Sequence, residues 1–181
     1  WIFSCWKKLL SKMFHVDGNR PITEDELLTI VEEAQTEGGI DEGQSELIQN
    51  AIEFNELEAW DVLTPRVDVE AIEIDEDQDA IMELFKQTGF SRLPVYEDDL
   101  DNIVGVLNQK DFHNYIKGTD ISISEYVKPV IFVAGSMKIS HLLKRLQTAK
   151  THIAIIVDEY GGTSGLVTME DIIEELVGEI Y

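Results

Sequence analysis

SRLPVYEDDLDNIVGVLNQKD, residues 91–111, lies without a gap over THIAIIVDEYGGTSGLVTMED, residues 151–171, at a period of about 60 residues. Three identities anchor the overlay: Asp98 on Asp158, Gly105 on Gly165 and Asp111 on Asp171. The apolar positions coincide as well. Leu93 and Val95 fall on Ile153 and Ile155, and Val106 and Leu107 fall on Leu166 and Val167. Upstream, VLTPRVD from Val62 matches YVKPVIF from Tyr126 through the shared prolines, Pro65 and Pro129. A chain that repeats itself in this way holds two copies of one supersecondary unit.

Each copy reads in one order: a proline-bounded strand, a helix, two strands joined by a polar turn, and a last helix. In the first copy the predicted elements are 69–74, 80–88, 93–96, 103–107 and 110–117; in the second they are 131–133, 139–149, 153–157, 165–167 and 169–178. A unit of about 50 residues buries too little surface to stand alone. The two copies are therefore expected to pack sheet to sheet around one shared core, an α+β fold.

Ahead of the repeats, Thr23 with Glu26 and Asp41 with Gln44 carry the capping pattern of two helices, and Gly38-Gly39 separates them. Residues 21–60 hold twelve Asp or Glu and no Lys or Arg, which reads as an acidic helical connector. Residues 1–20 are basic, with Lys7, Lys8, Lys12 and Arg20 against Asp17. The mix of aromatic residues and lysines in 1–14 suits either a helix at a lipid headgroup surface or one packed on protein.

The whole chain carries 36 acidic and 14 basic residues, a net charge of -22. Such a field repels polyphosphate backbones, so nucleic acid is not expected as a partner. The single cysteine, Cys5, excludes an internal disulfide, and no Cys/His spacing builds a zinc site. No apolar run approaches the roughly 20 residues that span a bilayer, and the chain as it stands is expected to be soluble.

The chemistry concentrates where each repeat's last strand meets its last helix. In the second repeat the string is Gly165-Leu-Val-Thr168-Met-Glu-Asp171. Thr168 stands at a helix N-cap, where free backbone N–H groups and the helix dipole suit a phosphate. Asp171 can accept from both hydroxyls of a ribose. The same two residues are also an ordinary capping box. The first repeat reads Gly105-Val-Leu-Asn108-Gln-Lys-Asp111, and its copy can be purely structural.

Other constellations fail on their own terms. Asp75, Asp77 and Asp79 imitate the start of a calcium loop, but Ala80 replaces its glycine and Lys86 stands where a bidentate Glu is required. Gly161-Gly162 lacks the Lys and Ser/Thr of a phosphate loop and reads as a hairpin turn. His15, His113, His141 and His152 share no catalytic or metal-ligand spacing, and no nucleophile stands in a recognisable elbow.

DVLTPRVD, FSRLPVYE and VDEYGGTSGLVTMEDIIEELVGEI closely resemble the CBS repeats of the CorC/HlyC membrane family, kin of the cyclin M magnesium transporters. The resemblance covers roughly residues 23–181. It implies two CBS repeats of β-α-β-β-α type forming a CBS pair, at 61–118 and 119–181, after a juxtamembrane segment at 1–20 and the connector at 21–60. It further implies a cytosolic regulatory module, not an enzyme, that controls a magnesium or cobalt transport protein. A transmembrane domain would precede the chain, on the cytoplasmic face of whose membrane the module would work, and a small further domain would follow. An adenine nucleotide, AMP, ADP or ATP, with or without Mg2+, would lie between the repeats. By the family pattern Asp171 meets the ribose, Thr168 and Arg92 meet phosphate, and Thr64, Phe90, Ser91 and Pro94 form the walls. Arg92 could equally be held in a surface ion pair. Asn108 replaces the usual Ser or Thr, which puts a second nucleotide in doubt.

Homodimerisation through flanking helices is expected, with Leu142, Leu143, Ile172 and Ile173 as candidates, and the acidic connector is expected to couple magnesium to the nucleotide site. A ligand-free dimerisation module and an uncharacterised hydrolase are the alternatives.

Overall fold

The computed structural model describes residues 22–178 and divides at Gln49 into two compact units, the second starting at Asn50. The amphipathic segment 1–14, Cys5 and His15 lie outside the described residues.

In the first unit, α1 (Glu24–Thr36) starts at a reciprocal capping box between Thr23 and Glu26. It stops before Gly38, whose φ of 76° is one that a side chain would resist. Helix α2 (Glu42–Glu53) begins with the same reciprocal bonds between Asp41 and Gln44, and its last residues run into the second unit.

The second unit holds both repeats. The first comprises β1 (Thr64–Pro65), a 3-10 turn, β2 (Ile72–Glu73), α3 (Gln78–Thr88), β3 (Arg92–Glu97), β4 (Asp99–Asn108) and the short α4 (Gln109–Asp111). The second comprises β5 (Ile131–Ala134), α5 (Ile139–Ala149), β6 (Ile153–Val157), β7 (Thr163–Thr168) and α6 (Met169–Val177). The predicted 110–117 helix tightens to one α turn and continues as a π-helical turn, Phe112–Ile116. That wider turn keeps both Phe112 and Ile116 fully buried before Gly118 ends the run at φ 75°.

The strands form two sheets, ordered β2-β3-β4 and β1-β7-β6-β5. Strand β1 thus leaves its own repeat and pairs antiparallel with β7 of the other, Thr64 opposite Leu166 and Pro65 opposite Gly165. The segment before β5 reciprocates the exchange: Lys128 and Val106 swap backbone hydrogen bonds at 2.8 and 2.9 Å. Here the matched glycines gain their reason. A Cβ on Gly165 would overlap the Thr64 carbonyl, and one on Gly105 the Lys128 carbonyl, so each crossing strand needs a bare backbone beneath it.

Among the described residues the core expected between the two sheets is one of three apolar clusters. One lies between α3, the α4 region and the first sheet, around Phe85, Leu93, Leu107 and Phe112. A second lies in the second repeat, around Leu142, Leu146, Ile156 and Ile172, and takes in Phe54 and Ala59 from the segment ahead of β1. The third joins the two repeats through Ile103, Val106, Ile153, Ile155 and Leu166. Helices and sheets alternate because each sheet has two faces to cover, one by helices and one by the other sheet. Leu142 and Ile172 are fully buried inside the second cluster and hold the fold together, whereas Leu143, which packs against that cluster, and Ile173 are only partly buried.

Candidate functional site: a cleft between the repeats

The exchange of strands brings distant residues to one place. Thr64 arrives on β1. Helix α3 ends at Gly89, in the left-handed conformation at φ 69°, its N–H donating to the Phe85 carbonyl, and this turn delivers Phe90 and Ser91 to the mouth of β3. Arg92 and Pro94 follow on β3 itself. From the second repeat, Thr168 closes β7 and Asp171 sits in the first turn of α6. All seven residues singled out from the sequence line one cleft of about 470 Å³, a size suited to a nucleotide-sized ligand.

Sequence reasoning does not single out Asp68, Glu70, His152 and Glu170, which line the same cleft, or the apolar wall of Val69, Ile153 and Leu166. Two of these had a signal. His152 overlays Arg92 in the repeat, and Glu170 lies within the Thr168–Asp171 string.

The start of α6 is a complete capping box. Thr168 Oγ1 accepts from the Asp171 N–H at 3.1 Å, and Asp171 Oδ2 accepts from the Thr168 N–H at 2.8 Å. The structural role of the pair is therefore real, and it fixes where the carboxylate points. Arg92 is partly exposed, and its Nη1 lies 3.9 Å from Glu170 Oε1, so an ion pair across the repeats holds it over the cleft.

The matched position in the first repeat differs. Asn108 makes no capping bond to the α4 backbone; its amide instead donates to Asp111 Oδ2 at 3.3 Å. Lys128, which overlays Thr64, donates to the same oxygen at 2.6 Å. The Lys128 ammonium holds the Asp111 carboxyl below its ordinary range, with help from Asn108 and against partial burial. The site's carboxylate is thus already paired with a lysine of the protein itself.

A second cross-tie lies among the hairpins. Arg66 donates to Asp101 and to the Thr163 carbonyl, and Asp101 accepts from the Thr163 N–H at 2.7 Å. The guanidinium bond, then the Thr163 bond, hold the Asp101 carboxyl below its usual value. The aspartates that imitate a calcium loop serve a helix start instead, where Asp77 Oδ2 accepts from Asp79 N–H as the N-cap of α3. Gly161-Gly162 forms the expected turn, with Asp158 Oδ1 accepting from the Tyr160 and Gly162 N–H groups. Among the described residues no cluster of three or more His, Cys, Asp or Glu is arranged to hold a metal ion, and no helix is long and apolar enough to cross a membrane.

The CBS domain family matches this chain twice, over residues 59–118 and 123–178. The chain belongs to that family as a CBS pair. UPF0053 protein YrkA of Bacillus subtilis (strain 168) is 40% identical over 164 residues, covering 87% of this chain and 38% of that protein. The magnesium and cobalt efflux protein CorC of Vibrio cholerae serotype O1 is 32% identical over 176 residues, covering 96% of this chain and 60% of that one. The chain therefore spans less than two thirds of these relatives' length. The solved CBS domain of the bacterial CNNM/CorC family Mg2+ transporter is 40% identical, with a TM-score of 0.80 over 88% of this chain and 99% of that one. A structure of such a domain in complex with ATP is 41% identical, with a TM-score of 0.71 over 76% and 99%. Within this CBS pair the cleft residues sit on the strand ends and helix starts that the two repeats share, which is why one repeat supplies Arg92 and the other Thr168 and Asp171.

Proposed function

We propose that this CBS pair binds an adenine nucleotide in the cleft between its repeats and thereby regulates a CNNM/CorC-type magnesium or cobalt transport protein, at the cytoplasmic face of a membrane and as a homodimer. The observation that carries the reading is convergence. Thr64, Arg92, Thr168 and Asp171 come from four different elements and meet in one cleft whose size fits the ligand. That a CNNM/CorC CBS domain 41% identical to this chain has been solved with ATP supports the ligand class. The CBS pair would act as a sensor, binding and orienting the nucleotide through these polar groups.

Asp171 would accept from the ribose through its free oxygen while Oδ2 stays with the Thr168 N–H. Arg92 would leave Glu170 to meet phosphate, which the stronger charge of a phosphate group favours. In the first repeat, Lys128 on Asp111 leaves a ribose nothing to displace cheaply, so one nucleotide per chain is expected, carried with or without Mg2+.

Calorimetry with adenosine, AMP and ATP tests this. Asp171→Ala should weaken all three, at about 1.5 to 3 kcal/mol for a charge-assisted bond, whereas Arg92→Ala should weaken ATP far more than adenosine. Unchanged ATP affinity in folded Asp171→Ala would remove the nucleotide reading. Absence of binding in the wild-type chain would favour a ligand-free dimerisation module, and phosphate release would favour a hydrolase.

A further inference from the structure

His152 is a cleft residue with no part in the nucleotide reading. Its Nδ1 is closed off from solvent and has no hydrogen-bond partner, yet Glu170 Oε1 lies 3.4 Å away. The same oxygen lies 3.9 Å from Arg92 Nη1. One carboxylate is thereby shared between an imidazole and the guanidinium that would meet phosphate. The other charged groups lining the cleft are Asp68 and Glu70, from the turn and loop ahead of β2, and Asp171 beside Glu170. All three are carboxylates, so Arg92 is the one fixed cation among the cleft's described lining residues.

The arrangement has two electrostatic states. With Nδ1 unprotonated, its lone pair faces a carboxylate oxygen, and Glu170 is left to Arg92. A proton on Nδ1 makes the two an imidazolium–carboxylate pair that a small approach closes into a charge-assisted hydrogen bond, and the added positive charge offsets Glu170. Imidazole is the side chain that ordinarily makes this change between about pH 5 and 8.

We propose that His152 and Glu170 form a proton-controlled gate on Arg92: protonation of His152 draws Glu170 away and frees the guanidinium for a ligand phosphate. His152 and Glu170 are positioning residues in this scheme, since they act through Arg92. The consequence for ligand rests on the nucleotide reading, but the coupling between the three side chains does not. Because all three are partly exposed, the effect is modest, about three- to fivefold in phosphate affinity.

Two measurements on the whole chain separate the parts. In the ligand-free protein, the Arg92 guanidinium NMR signal should move between about pH 6 and about pH 8, and that movement should vanish in His152→Gln and in Glu170→Gln. Movement kept in full by either variant overturns the gate, whatever the nucleotide does. In EDTA, AMP and adenosine are then titrated at about pH 6 and about pH 8. Relative to His152→Gln, wild-type protein should bind AMP about three- to fivefold tighter at the lower pH than at the higher, and adenosine equally at both. That comparison removes the titration of AMP's own phosphate, which both proteins meet alike. Glu170→Gln should bind AMP about three- to fivefold tighter than wild type at the higher pH. Loss of AMP affinity in Glu170→Gln, or pH dependence kept in full by His152→Gln, overturns the gate. Arg92 movement that vanishes in both variants, with no AMP binding at either pH, would instead support the gate and remove the nucleotide reading.

Discussion

Asp111 and Asp171 stand at matched positions, and their partners separate their fates. Asp171 bonds only the backbone of its own helix start, whereas Asp111 carries Lys128 at 2.6 Å. Because the folded Asp111 carboxyl sits below its ordinary value, the pair contributes stability that is fully present above the unfolded value, near pH 4, and is lost as pH falls through the folded one. Lys128→Ala should therefore lower stability at neutral pH by about 1 kcal/mol or less, the lysine being more than half exposed. It should also flatten the loss of stability below about pH 4. Urea unfolding of both proteins across the acid range checks this. An identical acid slope in the two would show that Lys128 does not hold Asp111. Nothing in the sequence pairs Lys128 with Asp111, seventeen residues apart. Only the return crossing of the second repeat puts them together.

Helix starts show how far sequence and geometry agree. Thr23, Asp41, Asp77 and Thr168 all cap the helices that follow them, because a short polar side chain before an apolar-periodic run satisfies a free N–H wherever it falls. Asn108 has the same credentials and makes no such bond, since its amide is drawn to an Asp111 already set by Lys128. Thr168→Ala should thus cost about 1 kcal/mol, and Asn108→Ala much less, measured by thermal unfolding. Equal losses would mean that the α4 cap forms in solution. The repeat made most elements legible: 139–149 and 153–157 match α5 and β6 residue for residue. The strand exchange was not legible, because β1 and its counterpart before β5 are too short to carry an alternating pattern. Gly105 and Gly165 were the available signal, each marking a close backbone approach. The cleft was legible only through the resemblance for Thr64, Phe90, Ser91 and Pro94, whereas Thr168 and Asp171 stood out by their own chemistry.

At the scale of the whole molecule, the exchange means that neither repeat is complete by itself. The second sheet takes its edge strand from residues 64–65, and the core beneath it takes Phe54 and Ala59. The backbone N–H groups of Ala59 and Trp60 donate to the Met137 and Gly135 carbonyls, and Trp60 covers Gly135 so closely that a Cβ there would overlap the indole. The compact unit accordingly begins at Asn50, ahead of the first residue that either repeat overlay uses. A chain starting at Asn50 should keep its sheets intact. A chain starting at Asp68 loses Phe54, Ala59, Trp60 and β1 together, and burial of Phe54 alone is worth roughly 3 to 5 kcal/mol. Since those groups belong to the second repeat's core, amide exchange should quicken in β6 and β7, while β3 and β4, which lose no strand partner, remain protected. The shorter chain should also lose nucleotide affinity with Thr64 and the edge of β7. Faster exchange confined to β3 and β4, next in sequence to the cut, would show that chain neighbourhood and not the exchanged strand carries the stability.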